Sequence, residues 1–128
     1  MRLVLDTNRY VDLCRGDAEV VAKVVRAEAL FLPFVVLGEL RAGFRVGARA
    51  RSNERALQRF LAKPSVDILL ATEDTTTHYA SLYRQLREQG TPIPTNDLWI
   101  AALVSEHRLT LYSRDEHFAH LPQLDRMD

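Results

Sequence analysis

The chain opens with Met1-Arg2-Leu3-Val4-Leu5-Asp6-Thr7-Asn8, a short apolar run that stops abruptly at a carboxylate. A buried strand that delivers one acid to its C-terminal end is how an open α/β sheet begins a functional cleft, because ligands gather outside the carboxyl ends of parallel strands. Met1 to Leu5 is therefore read as the central strand. One acid by itself defines nothing, so the remaining sequence is read for partners that converge on Asp6.

Beyond that strand, Arg9 to Arg15 is expected to form a short helix with Val11 and Cys14 inward, ended by Gly16. Asp17 is a good N-cap for a second helix, on which Val20, Val21, Val24 and Val25 form one apolar stripe at helical period. Leu30 to Leu32 reads as a second strand stopped by Pro33. Phe34 to Val46 reads as a helix burying Val36, Leu37, Leu40 and Phe44, with Glu39 inside the apolar run. Ser52 is expected to cap the next helix, whose stripe is Ala56, Leu57, Phe60 and Leu61, and Pro64 closes it.

Val66 to Leu70 is a third strand, and Thr72 begins a long helix bearing Tyr79, Leu82, Tyr83 and Leu86, ended by Gly90. The stiff loop Thr91-Pro92-Ile93-Pro94 leads to Thr95, an N-cap for a helix from Asn96 to about His107. Leu109 to Tyr112 is a fourth strand, Ser113 to His117 the loop beyond it, and Leu124 marks a short edge strand. Short strands alternating with helices imply an α/β chain with a short, mostly parallel central sheet covered on both faces.

No repeat, low-complexity tract or flexible linker divides the 128 residues, which are read as one domain, 1–128. A composition 47% hydrophobic and 27% charged excludes a disordered chain. Seventeen basic and seventeen acidic side chains cancel, so overall charge implies no nucleic-acid partner, although a local patch can still act. The single Cys14 excludes an internal disulfide and a cysteine-only metal cage, which fits a reducing cytoplasm. Asp6 interrupts the first apolar run too early for a signal sequence, and no apolar segment approaches the roughly 18 residues of a membrane span. A cytoplasmic protein without a membrane partner is expected.

Four carboxylates fall where folding alone does not require them together. Asp6 ends the first strand, Glu39 sits early in the helix after the second, Asp97 lies in a first helical turn, and Asp115 follows the fourth strand by three residues. Asp6, Asp97 and Asp115 each taken alone have a plain structural explanation, a cap, a helix-dipole partner or a polar turn, whereas Glu39, between Leu37 and Leu40 on an apolar stripe, costs free energy unless paired. In a parallel sheet, however, the C-terminal strand ends share one edge, so all four can reach one cleft. Packed carboxylates repel unless a cation neutralises them, and oxygen-only ligands point to Mg2+ or Mn2+ rather than Zn2+.

The ordered set Leu5-Asp6-Thr7-Asn8, Glu39-Leu40, Asn96-Asp97 through Ala101-Ala102, and Ser113-Arg114-Asp115-Glu116-His117-Phe118 resembles PIN-domain ribonucleases, and most closely the VapC-type toxins of toxin–antitoxin pairs. The resemblance implies a three-layer α/β/α PIN-like domain that binds one or two divalent ions and cleaves RNA, often tRNA, leaving a 5′-phosphate and a 3′-hydroxyl. The family's acids would be Asp6, Glu39, Asp97 and Asp115, as catalytic and metal-holding residues. Thr7 and Ser113 fall where the family keeps a hydroxyl, with Ser113 where Thr is commoner, and Asn8 matches a choice that braces the first acid. His117 is not read as a base but as a turn or packing residue. The resemblance further implies a homodimer and a small antitoxin lying across the toxin's groove, for which exposed parts of the valine stripe are suited.

Arg41, Arg45, Arg49, Arg51, Arg55 and Arg59 lie within nineteen residues whose only acid is Glu54. They are either a solvated surface or a phosphate-binding wall near the acids, with Arg41, Arg45 and Arg49 as candidate RNA contacts. Other chemistries are less well served. An aspartyl-nucleophile phosphate enzyme wants a second Asp where Asn8 stands, a phosphoreceiver domain wants paired acids and a late Lys, and no Gly-rich turn follows the first strand for a dinucleotide. The remaining alternative is a catalytically weak PIN-like scaffold that binds RNA or protein.

Overall fold

A computed structural model describes residues 1–128. Leu3, Val4 and Leu5 are fully buried in it, because β1 (Arg2–Leu5) has strands on both sides and helices over both faces. The other strands are β2 (Ala29–Pro33), β3 (Val66–Leu69), β4 (Thr110–Tyr112) and β5 (Asp125–Met127). Their order is β3-β2-β1-β4-β5, and every pairing is parallel. Leu5 pairs with Tyr112 and Val4 with Leu111, so β1 and β4 end side by side and release Asp6 and Ser113 at one edge.

The helices are α1 (Thr7–Cys14), α2 (Ala18–Arg26), α3 (Phe34–Val46), α4 (Ala50–Leu61), α5 (Glu73–Gln89) and α6 (Thr95–His107). Right-handed crossovers stepping from β1 to β2 to β3 put α1–α4 on one face, and the return from β3 to β4 puts α5 and α6 on the other. This is the expected three-layer α/β/α arrangement. Helix α6 is apolar almost all round, with Ile100, Ala101, Ala102 and Leu103 fully buried, as befits a helix packed both on the sheet and on α5.

Several local expectations change. Helix α1 begins at Thr7, since the Asp6 side chain accepts from the Thr7 N–H and caps it. Its inward residue is Tyr10, which meets Phe60 edge-on at 5.3 Å, while Val11 is half-buried and Cys14 exposed. Of the valine stripe on α2 only Val20 is buried, and Val25 is 77% exposed. Ser52 lies inside α4 rather than at its cap, its hydroxyl donating back to the Arg49 carbonyl at 3.2 Å. Thr95 is the first residue of α6, with Pro94 in the cap position. The segment read as a loop through His117 turns at Asp115 into a short 3-10 helix, Glu116–His120, anchored by fully buried Phe118. The final edge strand lies at Asp125–Met127, just beyond buried Leu124.

Thr75, near the start of α5, donates to Glu106 near the end of α6 at 2.6 Å. The two helices therefore run antiparallel, and their connection carries the start of α6 to the edge where β1 and β4 end. The same hydroxyl oxygen accepts from the Thr72 N–H at 2.9 Å, and Thr75 is fully buried. Replacing Thr75 by Val keeps its shape but strands both partners, which costs about 1–3 kcal/mol. Urea unfolding should show that loss for Thr75→Val and most of the stability retained in Thr75→Ser; equal midpoints for Thr75→Val and the parent would mean that this tie carries no stability.

Candidate active site

The site begins where β1 ends. Asp6 is buried, and its Oδ1 accepts from the Thr7 N–H at 2.8 Å while its Oδ2 accepts from the Ser113 hydroxyl at 2.6 Å. Asn8 Nδ2 stands 3.4 Å from both Asp6 Oδ2 and Ser113 Oγ, and Asn8 Oδ1 accepts from the Arg114 N–H at 3.2 Å. Thr7, Asn8 and Ser113 thus form the hydrogen-bonding frame of the first acid.

Glu39 is exposed rather than held within the apolar stripe. Leu37 and Leu40 do face the core, but residue 39 lies about 100° to one side of residue 40 and about 200° from residue 37 on the helix. The carboxylate turns to the cleft, where it accepts from Thr7 Oγ1 at 2.8 Å and lies 3.5 Å from Asn96 Nδ2. Asp97, in the first turn of α6, is nearly buried. Asp115 caps the 3-10 helix by accepting from the His117 N–H at 2.9 Å, and its own N–H donates to Ser113 Oγ at 3.0 Å. All four acids therefore meet at the C-terminal edge of the sheet.

A fifth residue joins them. His117 Nδ1 lies 2.8 Å from Asp97 Oδ2 and 2.9 Å from Asp115 Oδ1, so His117 is part of the cluster and not merely a turn residue. The only sequence signal for it is its place two residues after Asp115. Burial pushes the Asp6 carboxyl above its usual range, against the pull of Ser113 and the Thr7 N–H, with Glu39 and Asp115 adding repulsion. Burial likewise pushes Asp97 up to about 6, opposed by the His117 hydrogen bond and reinforced by Asp115 and Asp6. His117 is raised, chiefly by its hydrogen bond to Asp97 and against its own partial desolvation.

Carboxylates that resist ionisation in each other's company are a set waiting for positive charge. One ligand atom each from Asp97, Asp115 and His117 lies within 4.8 Å of the others. Two carboxylates with the hydroxyl-braced Asp6 beside them suit a small hard divalent cation, with the His117 nitrogen as the one softer donor.

The arginine run does not line this cleft as one wall. Arg41 forks onto Glu54 through Nε and Nη2, both at 3.1 Å, and Arg45 borders the same α3–α4 cavity. Arg49 instead lines a separate groove with Tyr10, Cys14 and Leu40. No arginine figures among the main charges acting on Asp6 or Asp97. Near the acids the arginine that matters is Arg114, which forks onto Asp12 at 3.0 Å and 3.0 Å, with Arg9 joining at 3.2 Å. Asp12 carries no sequence signal, because the fork that holds it comes from the far end of the chain.

Residues 3–124 match the PIN domain family. The chain belongs to that family. Ribonuclease VapC5 of Mycobacterium tuberculosis is 31% identical over 118 residues, covering 92% of this chain and 86% of the relative. Ribonuclease VapC1 of Haemophilus influenzae is 30% identical over 115 residues, 87% of this chain and 81% of the relative. The solved structure of VapBC-1 from nontypeable Haemophilus influenzae superposes with a TM-score of 0.85 at 26% identity, covering 100% of this chain and 98% of that one.

Trp99, two residues from Asp97, packs against Tyr79 with its ring tilted by 38° at 4.3 Å between centroids and is a built-in reporter. As pH falls through about 6 Asp97 takes up a proton, and the imidazolium form of His117 is favoured by its bond to Asp97, so a cation competes with protons on both groups. Mn2+ titration followed by Trp99 fluorescence should show binding at least about tenfold weaker at pH 5.5 than at pH 7.5. Asp97→Asn should narrow that difference, removing the share carried by the Asp97 proton and leaving the share of His117. Equal affinities at the two pH values in the parent chain would exclude this role for the cluster.

Proposed function

We propose that the chain is a metal-dependent endoribonuclease in which Asp6, Glu39, Asp97 and Asp115 hold Mg2+ or Mn2+, one ion or two, and that it acts as the toxin of a toxin–antitoxin module. The observation that carries this reading is the convergence of the four acids, with His117 among them, at one edge of the sheet. The names of its relatives, Ribonuclease VapC1 and Ribonuclease VapC5, support the substrate class. Structured RNA such as tRNA is the proposed target, cut by one domain spanning residues 1–128.

A bound divalent ion makes its water more acidic and offsets charge on the phosphoryl oxygens. The chain's own residues do the positioning. Ser113 and the Thr7 N–H fix both oxygens of Asp6, and Thr7 Oγ1 with Asn96 orients Glu39 toward the same space. Asp97 and Asp115 hold His117 between them, so a proton can reside on the imidazole while the carboxylates remain charged. Water adds to phosphorus as the bond to the 3′-oxygen breaks, leaving a 5′-phosphate and a 3′-hydroxyl.

The proposed partner is a small antitoxin in a heteromeric complex, supported by the VapBC-1 likeness. A groove of about 590 Å3 beside α2 is lined by Leu13, Val24, Val25, Leu30 and Phe60, and it suits the apolar face of a partner helix. A homodimer of the chain within that complex is proposed with it. No helix is long and apolar enough to cross a membrane; a cytoplasmic location is the reading that suits an RNA substrate and the exposed free Cys14.

Purified chain with Mn2+ should cut total tRNA, EDTA should stop it, and Asp6→Asn or Asp97→Asn should each lower the rate by at least about 100-fold, the scale expected when transition-state charge stabilisation is lost. Retained cleavage in both variants, or cleavage indifferent to EDTA, would reject the proposal. Sequencing the 5′-phosphate ends produced on expression in cells identifies the RNA.

A further inference from the structure

The α3–α4 connection brings two arginine pairs face to face. Arg41 and Arg45 are one turn apart on α3, and Arg51 and Arg55 one turn apart on α4. Gly47 lets the chain return this tightly: a Cβ there would sit 3.2 Å from the Gly43 carbonyl. The four guanidinium groups border a cavity of about 400 Å3 floored by Phe44 and Ala50, with Glu54 the one acid in its lining.

Glu54 is already engaged, by the Arg41 fork and by Gln58 Nε2 at 2.8 Å. Its carboxyl is held below the usual range by those bonds. Arg45, Arg51 and Arg55 have no hydrogen-bonded or ion-paired partner, as is true of most basic side chains here, and what sets these three apart is that they border one cavity. In a chain of zero formal charge, three unneutralised guanidiniums around one cavity are a local concentration that folding does not explain. The planar fork of arginine matches a phosphate better than a point charge does.

The cavity is separate from the acid cleft. Arg41 and Arg45 project about 200–240° around α3 from Glu39, and Arg45 lies roughly 9 Å further along its axis. No arginine of the cavity figures among the main charges acting on Asp6 or Asp97. An acidic peptide would use the charges but leave the half-buried Phe44 ring idle, whereas a nucleotide offers both a phosphate and a ring.

We infer that this four-arginine cavity is an anchoring subsite for a backbone phosphate of the RNA, outside the scissile bond, with Phe44 facing the adjoining base. The inference rests on the ribonuclease reading and adds to it a second point of attachment, carried by Arg45, Arg51 and Arg55 and not by Arg49.

The test is fluorescence anisotropy with a 5′-fluorescein-labelled, mixed-sequence single-stranded RNA of about 20 nucleotides, on the full chain in EDTA. Arg51→Glu with Arg55→Glu should weaken binding at least about tenfold at about 100 mM salt and flatten the salt slope by about 0.7, the value for one phosphate of a single strand left without its arginines. Arg51→Gln with Arg55→Gln should move both in the same direction by less, and it serves if the charge reversal disturbs folding. Arg84→Glu with Arg87→Glu, on α5, matches the charge change and should leave the slope within error. An unchanged slope in both cavity variants, or an equal change in the α5 variant, overturns the subsite. So does an arginine-dependent affinity for a ten-residue oligoglutamate peptide with an unchanged RNA slope, which would assign the cavity to an acidic protein. Asp97→Asn separates the two readings: if it abolishes cleavage while the cavity variants bind RNA as the parent does, only the subsite fails.

Discussion

The hydrogen bond from Ser113 to Asp6 joins the ends of two neighbouring strands at the point where like charge accumulates. The parallel register that pairs Leu5 with Tyr112 also brings the Asp6 N–H to the Tyr112 carbonyl at 3.1 Å. The chain then diverges in two directions, into α1 from Asp6 and into the acid-bearing loop from Ser113. Every donor near Asp6 comes from these two segments. Without them the carboxyl of Asp6, already raised by burial and by repulsion from Glu39 and Asp115, would hold its proton still more strongly, because burial and repulsion act in the same direction. The site is thus a balance between gathered negative charge and a small number of fixed donors.

That balance has a second tier. Asp12 is held by Arg114 from one side and Arg9 from the other, and its side chain is 13% exposed. Arg9 and Lys23 also stand over the Tyr112 ring, at 4.6 Å and 5.1 Å from its centroid. The loop bearing Asp115 is therefore fastened to α1 by charges that do not touch the cleft. A guanidinium inside the cleft would neutralise the acids permanently. Placed behind it on Asp12, Arg114 fixes the loop and leaves the acids available to a cation from solution.

Much of this was legible in the sequence. The alternation of short strands and helices settles a parallel sheet, and a parallel sheet settles that residues just after strands share an edge. Asp6, Asp97 and Asp115 follow from those two steps. Glu39 was found for a partly mistaken reason, since it is not buried among Leu37 and Leu40 but turned out from them toward Thr7. What stayed hidden depends on tertiary contact rather than period. The inward choice between Tyr10 and Cys14 is decided by the Phe60 ring across the layer, and His117 gains its role from Asp97, twenty residues earlier in the chain. The end of α1 and the exposed part of α2 similarly depend on how much neighbouring surface exists to cover them, which no local pattern records.

The neutral total charge conceals a division of labour along α3. Its cleft-facing side presents Glu39 to the acid cluster, and its opposite side presents Arg41 and Arg45 to α4. Helical geometry makes this possible, since residues two and six positions apart project about 160° and about 120° away from each other. Had the arginines followed Glu39 at positions three or four residues on, they would have paired with it and quenched the site. The positions three and four residues after Glu39 are instead Ala42 and Gly43, neither of which carries charge. One helix thereby keeps opposite charges within two residues of each other in sequence without letting them meet, and the cleft retains the negative potential that a divalent cation requires.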